Sequence, residues 1–183
     1  MNEDGLSDTC LYFQLAVLNQ WMKTDLPGAL DWVRQLPAPD ARQRALEKVV
    51  PALAADSPQK TLTWLNDMKP APGEESYTLL FQHWAANDPL QAIQQRQHIP
   101  SQDADDNVLG AILSVWVEND PAAAWEWVKS QPDSESRNKA METVILARAK
   151  SDVSDALAAT ELLPSEAERD AAFDQVVASW AGF

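Results

Sequence analysis

The sequence holds one cysteine, Cys10, and only five glycines among its 183 residues. A single thiol cannot close an internal disulfide, so packing must hold the fold together. Five glycines scarcely supply the Gly-rich loops that bind nucleotide phosphates, and the chain has no Walker loop, G-x-G-x-x-G or G-x-S-x-G motif. These absences argue against nucleotide binding and against the nucleophile elbow of the α/β-hydrolases.

Basic residues are also scarce, with 14 Lys and Arg against 28 Asp and Glu and a formal charge of −14. This charge repels phosphate backbones and anionic membrane surfaces, so we expect no nucleic-acid partner. No apolar run of about 18 residues exists, and the first residues, MNEDGLSDTC, are acidic where a secretory signal is basic. We expect a soluble chain without membrane insertion. The sequence leaves its compartment open, with the cytoplasm, or the periplasm if the chain belongs to a longer exported protein, as the two alternatives.

What the chain does have is proline and tryptophan, 12 and 8 residues respectively, at regular intervals. Aspartates recur at positions 25, 56, 88, 120 and 152, with separations of 31, 32, 32 and 32 residues. A proline follows each aspartate's segment at positions 37, 70, 100, 132 and 164. A fixed period of this length is the signature of a repeat architecture.

Each repeat predicts two helices. The aspartate, or Ser57 in the second repeat, is expected to cap a short helix that ends before the second proline. In four of the five repeats this helix also has a proline in its first turn. The longer helix that follows has apolar residues at the spacing of one buried face. These residues are Tyr77, Leu80, Phe81 and Trp84; Leu109, Ile112, Leu113 and Trp116; and Phe173, Val176, Val177 and Trp180.

The sequence therefore predicts an all-α protein with about eleven helices, in which neighbouring helical hairpins stack as an α-solenoid because a lone hairpin cannot bury both faces. We expect one repeat domain over residues 1–183, with approximate repeats at 1–24 (partial), 25–55, 56–87, 88–119, 120–151 and 152–183. We also expect the chain to be a piece of a longer array.

Two quoted stretches, WAANDPLQAI and WVENDPAAAWEW, together with Ala29, Ala92, Ala124 and Ala156, carry a family resemblance. The chain resembles bacterial tetratricopeptide-like α-helical repeats with a Trp-Ala, Asp-Pro, Ala, Trp, Leu-Pro pattern. It departs from the tetratricopeptide pattern in its period and in lacking that family's Leu-Gly and Tyr positions. The resemblance implies a right-handed superhelix like those of tetratricopeptide and HEAT repeats, and scaffolding through protein or peptide binding on the concave face.

Two residues interrupt the repeat pattern. Pro51 lies inside a long helix, where loss of a backbone hydrogen bond predicts a bend. Arg148 stands where other repeats have Trp, which predicts different packing in that hairpin. Local drift in a decaying repeat accounts for both residues and is the preferred interpretation.

Residues that could carry catalysis or hold a metal do not form a recognisable set. His83 and His98 lack a metal-binding partner at the required spacing. Asp103, Asp105 and Asn107 imitate the start of a calcium loop, but Val108 and Ser114 replace its essential Gly and Glu. The S-x-x-K matches at Ser57 and Ser136 lack their companion motifs. We predict no catalytic residue, no cofactor and no metal.

Two features are candidates for partner binding. Acidic residues cluster where each long helix begins, and a stacked solenoid would align them along one edge; capping of helix N-termini is the stronger interpretation. Trp125 is about 200° around its helix from Trp127, so if Trp127 is core, Trp125 contacts either the next hairpin or a partner. The predicted partner-binding residues are Trp125, Glu74, Glu75, Asp103, Asp105, Asp106, Asp133 and Glu135.

The leading functional hypothesis is a noncatalytic interaction or scaffold module whose protein or peptide partners are basic. One alternative is an enzyme or small-ligand-binding domain of the helical-toroid type, which would need a closed pocket with convergent carboxylates. A second alternative is a structural spacer, which would have neither an apolar nor a strongly charged surface patch. The sequence leaves the oligomeric state open.

Overall fold

The computed structural model describes residues 15–100, 102–132, 134–150 and 152–181, without the side chains at 102–104 and 106. These residues form eleven α-helices and no strand, which confirms the all-α prediction and the helix count. In chain order the helices are α1 (15–24), α2 (Leu26–Gln35), α3 (Pro39–Asp56), α4 (Pro58–Asn66), α5 (Glu74–Ala85), α6 (Pro89–Gln95), α7 (Gln102–Asn119), α8 (Pro121–Ser130), α9 (Glu135–Ala149), α10 (Val153–Thr160) and α11 (Glu166–Ala181). A 3-10 turn, Arg96–His98, follows α6.

Four of the five short helices begin as the Asp pattern predicts. The carboxylates of Asp25, Asp88, Asp120 and Asp152 each accept a hydrogen bond from the backbone N–H three residues later, at 2.9 to 3.1 Å. These bonds satisfy donors that the first helical turn leaves without a partner. The expectation for Ser57 is wrong, because its side chain makes no capping bond to α4.

Prolines end the short helices at the predicted places. The helices α2, α8 and α10 stop before Pro37, Pro132 and Pro164, since the residue ahead of a proline disfavours helical geometry. Inside α3, by contrast, the helix continues without interruption past Pro51.

The chain divides into two compact units, one ending at Trp84 and the other beginning at Ala85. In the first unit, α3 packs against α2 and α4. Two hydrogen bonds attach α5 to this group, from the Tyr77 hydroxyl to Asn66 Oδ1 at 3.0 Å and from Ser76 Oγ to Gln43 Oε1 at 3.5 Å. That all six repeats form one domain stays a prediction.

In the second unit the long helix α9 is central, because it packs against the long helices α7 and α11 and against the short helices α8 and α10. One apolar core runs through these five helices. Its fully buried members include Leu113 of α7, Val144 and Ile145 of α9, and Val176 of α11.

A pair of tryptophans joins a long helix to the following short helix in each unit. The rings of Trp21 and Trp32 lie 5.9 Å apart at 50°, and those of Trp116 and Trp127 lie 6.0 Å apart at 46°. Both are tilted arrangements, which aromatic pairs favour over a face-to-face sandwich. The recurring Trp therefore fastens the end of a long helix to its neighbour.

The predicted buried faces of the long helices are confirmed in two cases and wrong in the third. All four predicted residues of α5 and all four of α7 are buried. On α11 only Val176 is buried, whereas Phe173, Val177 and Trp180 are 48%, 37% and 64% exposed. Residues with the same spacing therefore lie on a buried face in α7 and on an exposed face in α11.

Candidate interaction surfaces

The described members of the predicted acidic set lie near the starts of long helices. Glu74 and Glu75 are exposed in the first turn of α5, in the first unit, and Glu135 is exposed in the first turn of α9, in the second. The side chains of Asp103 and Asp106, and the whole of Asp133, lie outside the described residues. A negative charge at each of these helix starts complements the positive end of the helix dipole.

Asp105 has a role within the fold. Its Oδ2 lies 2.9 Å from the Arg96 guanidinium, and its side chain is 19% exposed. The ion pair joins the 3-10 turn to α7, which closes the connection between them. The charge of Asp105 is therefore already paired with a cation of the same chain, and its role in partner binding stays a prediction.

Trp125 is buried, with 9% of its surface exposed, whereas Trp127 is only partly buried. The guanidinium of Arg148 lies 5.8 Å and the Lys129 ammonium 5.9 Å from the centre of the Trp125 ring. Arg148 also forms a 2.7 Å ion pair with Asp155 of α10. Trp125 therefore packs in the core against α9 of its own hairpin, and the prediction of an exposed partner anchor at this position is wrong.

Capping accounts for the acidic residue at the start of α11. The Glu168 carboxylate accepts hydrogen bonds from the Ser165 hydroxyl at 2.8 Å and the Ser165 N–H at 3.1 Å, while the Glu168 N–H donates to Ser165 Oγ. This reciprocal pattern is a capping box. The bonds from Ser165, with one from Asn138, hold the pKa of Glu168 below its ordinary value.

Glu142 of α9 has the opposite shift. Burial, followed by the negative charge of Glu168, raises its pKa, and Lys139 partly offsets the rise. Two neighbouring carboxylates with pKa values moved in opposite directions occur in acid–base catalysis. Here, however, the bonds around Glu168 are those of a helix cap, so the arrangement is explained by folding.

A small cavity of about 170 Å³ lies between α7 and α9. Ser136 and Lys139, the residues of one S-x-x-K match, both line it and are both exposed. Gly110 lines the α7 side of the cavity. The space beside it is open, because a Cβ at this position would contact no atom within 4 Å. Among the described side chains, the lining of this cavity contains no carboxylate, imidazole or thiol beside Ser136 and Lys139.

The largest exposed apolar feature of α11 consists of Phe173, Val177 and Trp180, called here the α11 stripe. Their i, i+4, i+7 spacing places them on one face of the helix. Its edge borders the buried residues Ala172 and Val176, so the stripe continues the core outward to the surface. Sequence reasoning assigned the stripe to the core because its spacing matches that of the buried face of α7.

Equivalent positions on the other two long helices of this unit are covered. Residues 32 and 64 positions before Phe173 are Met141 and Leu109, which are 1% and 6% exposed. The corresponding residues for Val177 are Ile145 and Leu113, both fully buried. The α7 and α9 faces are buried in the core shared with the hairpins that follow them, whereas the α11 face is open to solvent.

Acidic side chains run beside the α11 stripe. Asp170 and Asp174, both exposed, come three residues before Phe173 and Val177, which places them along one side of it. The nearest cation on α11, Arg169, lies 3.9 Å from Glu161. The α11 stripe is therefore apolar, and Asp170 and Asp174 make the surface beside it negative, on the side away from the buried residues Ala172 and Val176.

The first unit has an open groove between α1 and α3, with a volume of about 480 Å³. Its lining includes Met22, Leu26, Pro51 and Leu53, and two exposed lysines, Lys23 from α1 and Lys48 from α3. Leu26 is 39% exposed within it. Asp56 lies at one end, and Lys48 also lines an adjoining hollow with Arg44 and Glu47. We call the surface lined by Met22, Lys23, Leu26, Lys48, Pro51, Leu53 and Asp56 the α1–α3 groove.

Among the described residues, no group of three or more His, Cys, Asp or Glu side chains is arranged to hold a metal ion. None of the helices in this part of the chain is long and apolar enough to cross a membrane. Comparison with protein-family models, curated proteins and solved structures found no match to this chain.

Proposed function

We propose that this chain is a noncatalytic protein-interaction module, built as an α-solenoid of helical hairpins, that binds an amphipathic helix with basic flanks. The α11 stripe is the observation that carries the proposal. Two aromatic side chains and a valine on one helix face, with Trp180 64% exposed, form the kind of anchor that protein interfaces use.

The solenoid part of the proposal is supported by the packing of α9. This helix packs against the long helices before and after it and against both adjacent short helices, as expected when similar hairpins stack on their nearest neighbours. Equivalent faces of α7 and α9 already receive helices, so the α11 stripe has the residue spacing of a surface that packs against a helix.

The preference for a basic partner is supported by the charge of the second unit. Residues 85–183 contain 17 acidic and 7 basic side chains, a formal charge of −10. Asp170 and Asp174 bring part of that charge beside the α11 stripe. A helix with apolar residues at i, i+4 and i+7 and lysines along its edges would match both properties.

A designed peptide tests the proposal. The probe is an amphipathic helix of about 20 residues with a leucine stripe and lysine flanks, and the control peptide has glutamates in place of the lysines. We expect the triple variant Phe173→Ser, Val177→Ser, Trp180→Ser to weaken binding of the lysine peptide by about tenfold or more, measured by fluorescence anisotropy.

Leu90→Ser is the matched control variant, because Leu90 is 50% exposed on α6 of the same unit. It should change the affinity by less than about twofold, as a surface contact outside the interface does. Equal binding by the triple variant would reject the α11 stripe as the binding surface. Equal binding of the glutamate peptide would reject the preference for basic partners.

A further inference from the structure

The α1–α3 groove and the α11 stripe are complementary in shape. A groove between two helices receives an amphipathic helix through residues at i, i+4 and i+7, which is the spacing of Phe173, Val177 and Trp180. Met22 and Leu53 offer apolar surface on the two walls, and Leu26 is already partly exposed between them. An acidic helix with an apolar stripe is therefore a suitable occupant of this groove.

Their charges are complementary as well. Lys23 and Lys48 stand on opposite walls of the groove, while Asp170 and Asp174 accompany the stripe. Asp56 opposes this attraction at one end of the groove. The first unit as a whole carries 11 acidic and 7 basic residues, a formal charge of −4, so it is the less acidic of the two units.

The same charges disfavour pairing of two α11 stripes with each other. A two-fold contact between α11 helices would place Asp170 and Asp174 of both copies around one apolar patch. Like charges close together at an interface cost free energy. A contact between different surfaces avoids this repulsion because each aspartate then faces a lysine-lined wall.

We propose that α11 of one copy of this chain docks into the α1–α3 groove of a second copy, so that copies join head to tail. This inference rests on the proposed function, since it names the partner of the α11 stripe. After one such contact the pair of copies keeps one free stripe and one free groove, so further copies add until the rotation between them closes a ring. The chains therefore lengthen as protein concentration rises.

Sedimentation velocity from about 1 μM to about 300 μM, a range that covers micromolar affinities, measures this association. The intact chain should show a sedimentation coefficient that rises with concentration at low salt and rises less at high salt, because screening weakens the lysine–aspartate attraction. A coefficient that stays constant over this range would overturn the inference.

Two variants separate the surfaces. The stripe variant is Phe173→Ser with Trp180→Ser, and the groove variant is Lys23→Glu with Lys48→Glu. Both lysines are exposed on the surface. Circular dichroism checks that both variants fold. Each variant alone should remain monomeric. Their equimolar mixture should form a dimer and nothing larger, because only one stripe and one groove remain intact.

A mixture that stays monomeric, or a groove variant that still forms oligomers by itself, would overturn the head-to-tail contact. A stripe variant with reversed charge, Asp170→Lys with Asp174→Lys, gives a second readout. It should bind the groove variant, whose lysines are replaced by glutamates, and it should lose affinity for the intact groove. If the intact chain stays monomeric but its stripe binds the lysine-flanked peptide, the proposed function stands and this inference fails. If the stripe binds no peptide and the chain does not associate, both fail.

Discussion

At the scale of single residues, the two tryptophans of α8 exchange their expected roles. Trp125 lies in the core beneath Arg148, while the partly buried Trp127 meets Trp116. Arg148 occupies a position that holds Trp in other repeats, and it contacts the ring of Trp125 while pairing with Asp155. The Arg148 guanidinium thus joins α8 and α9 of one hairpin through Trp125 and reaches the next hairpin through Asp155, because Arg stacks on an aromatic face and keeps its charge paired.

This exchange predicts the order of two stability losses. Trp125→Ala should lower the free energy of unfolding by about 3–5 kcal/mol, because it removes a large buried side chain and leaves a cavity. Trp127→Ala should cost less, since its ring is partly exposed already. Urea unfolding followed by circular dichroism measures both losses. A larger loss for Trp127→Ala would contradict the burial of Trp125.

At the scale of helices, the start of each short helix depends on one carboxylate. Asp120 accepts the N–H of Ala123 at 3.0 Å, directly before a proline that has no N–H to satisfy. The short helix α8 has only ten residues, and helices of this length are marginal without capping and tertiary packing. The Asp-Pro pair is thus needed at a place where intrinsic helix propensity is weak.

Replacing this cap gives a prediction with a close control. Asp120→Ala should lower the free energy of unfolding by about 0.5–2 kcal/mol, as measured for caps of this kind. Asp120→Asn should retain nearly all of the stability, because the Asn side-chain oxygen accepts the same bond. Thermal unfolding at one pH compares the three proteins. Equal losses for Ala and Asn would show that the charge, and not the hydrogen bond, supports the helix.

At the scale of the whole molecule, charge is the dominant feature. With a formal charge of −14, the acidic side chains repel one another in the folded state. The second unit carries −10 of this charge. Repulsion of this kind destabilises a compact protein and is screened by salt. The same charge opposes non-specific association, so a contact between copies needs a local match such as the lysine walls of the α1–α3 groove.

Salt should therefore stabilise the fold. Between about 10 mM and 150 mM NaCl the Debye length falls from about 30 Å to about 8 Å, and we expect the urea midpoint at pH 7.5 to rise. The rise should be smaller at pH 5, closer to the sequence pI of about 4.3, where the net charge is lower. Measurements at low protein concentration keep association between copies out of the comparison. A midpoint that falls with salt at pH 7.5 would contradict this prediction.

The helices and most of their ends follow from local signals along the chain. Capping by Asp, the prolines of the first turn and the prolines that end each short helix are local effects, so they are visible in the order of residues. The buried faces of α5 and α7 were predictable for the same reason, because a helix of fixed period places residues such as Leu80 and Leu113 on one side.

Which apolar faces are covered depends on packing between helices that are distant along the chain. Phe173, Val177 and Trp180 have the spacing of core residues, and their exposure depends on whether another helix packs over them, which spacing does not encode. The roles of Trp125 and Asp105 were likewise set by neighbours from other helices, Arg148 and Arg96. Local hydrogen bonding fixes where a helix begins, whereas burial is a property of two surfaces and becomes known only when both are in place.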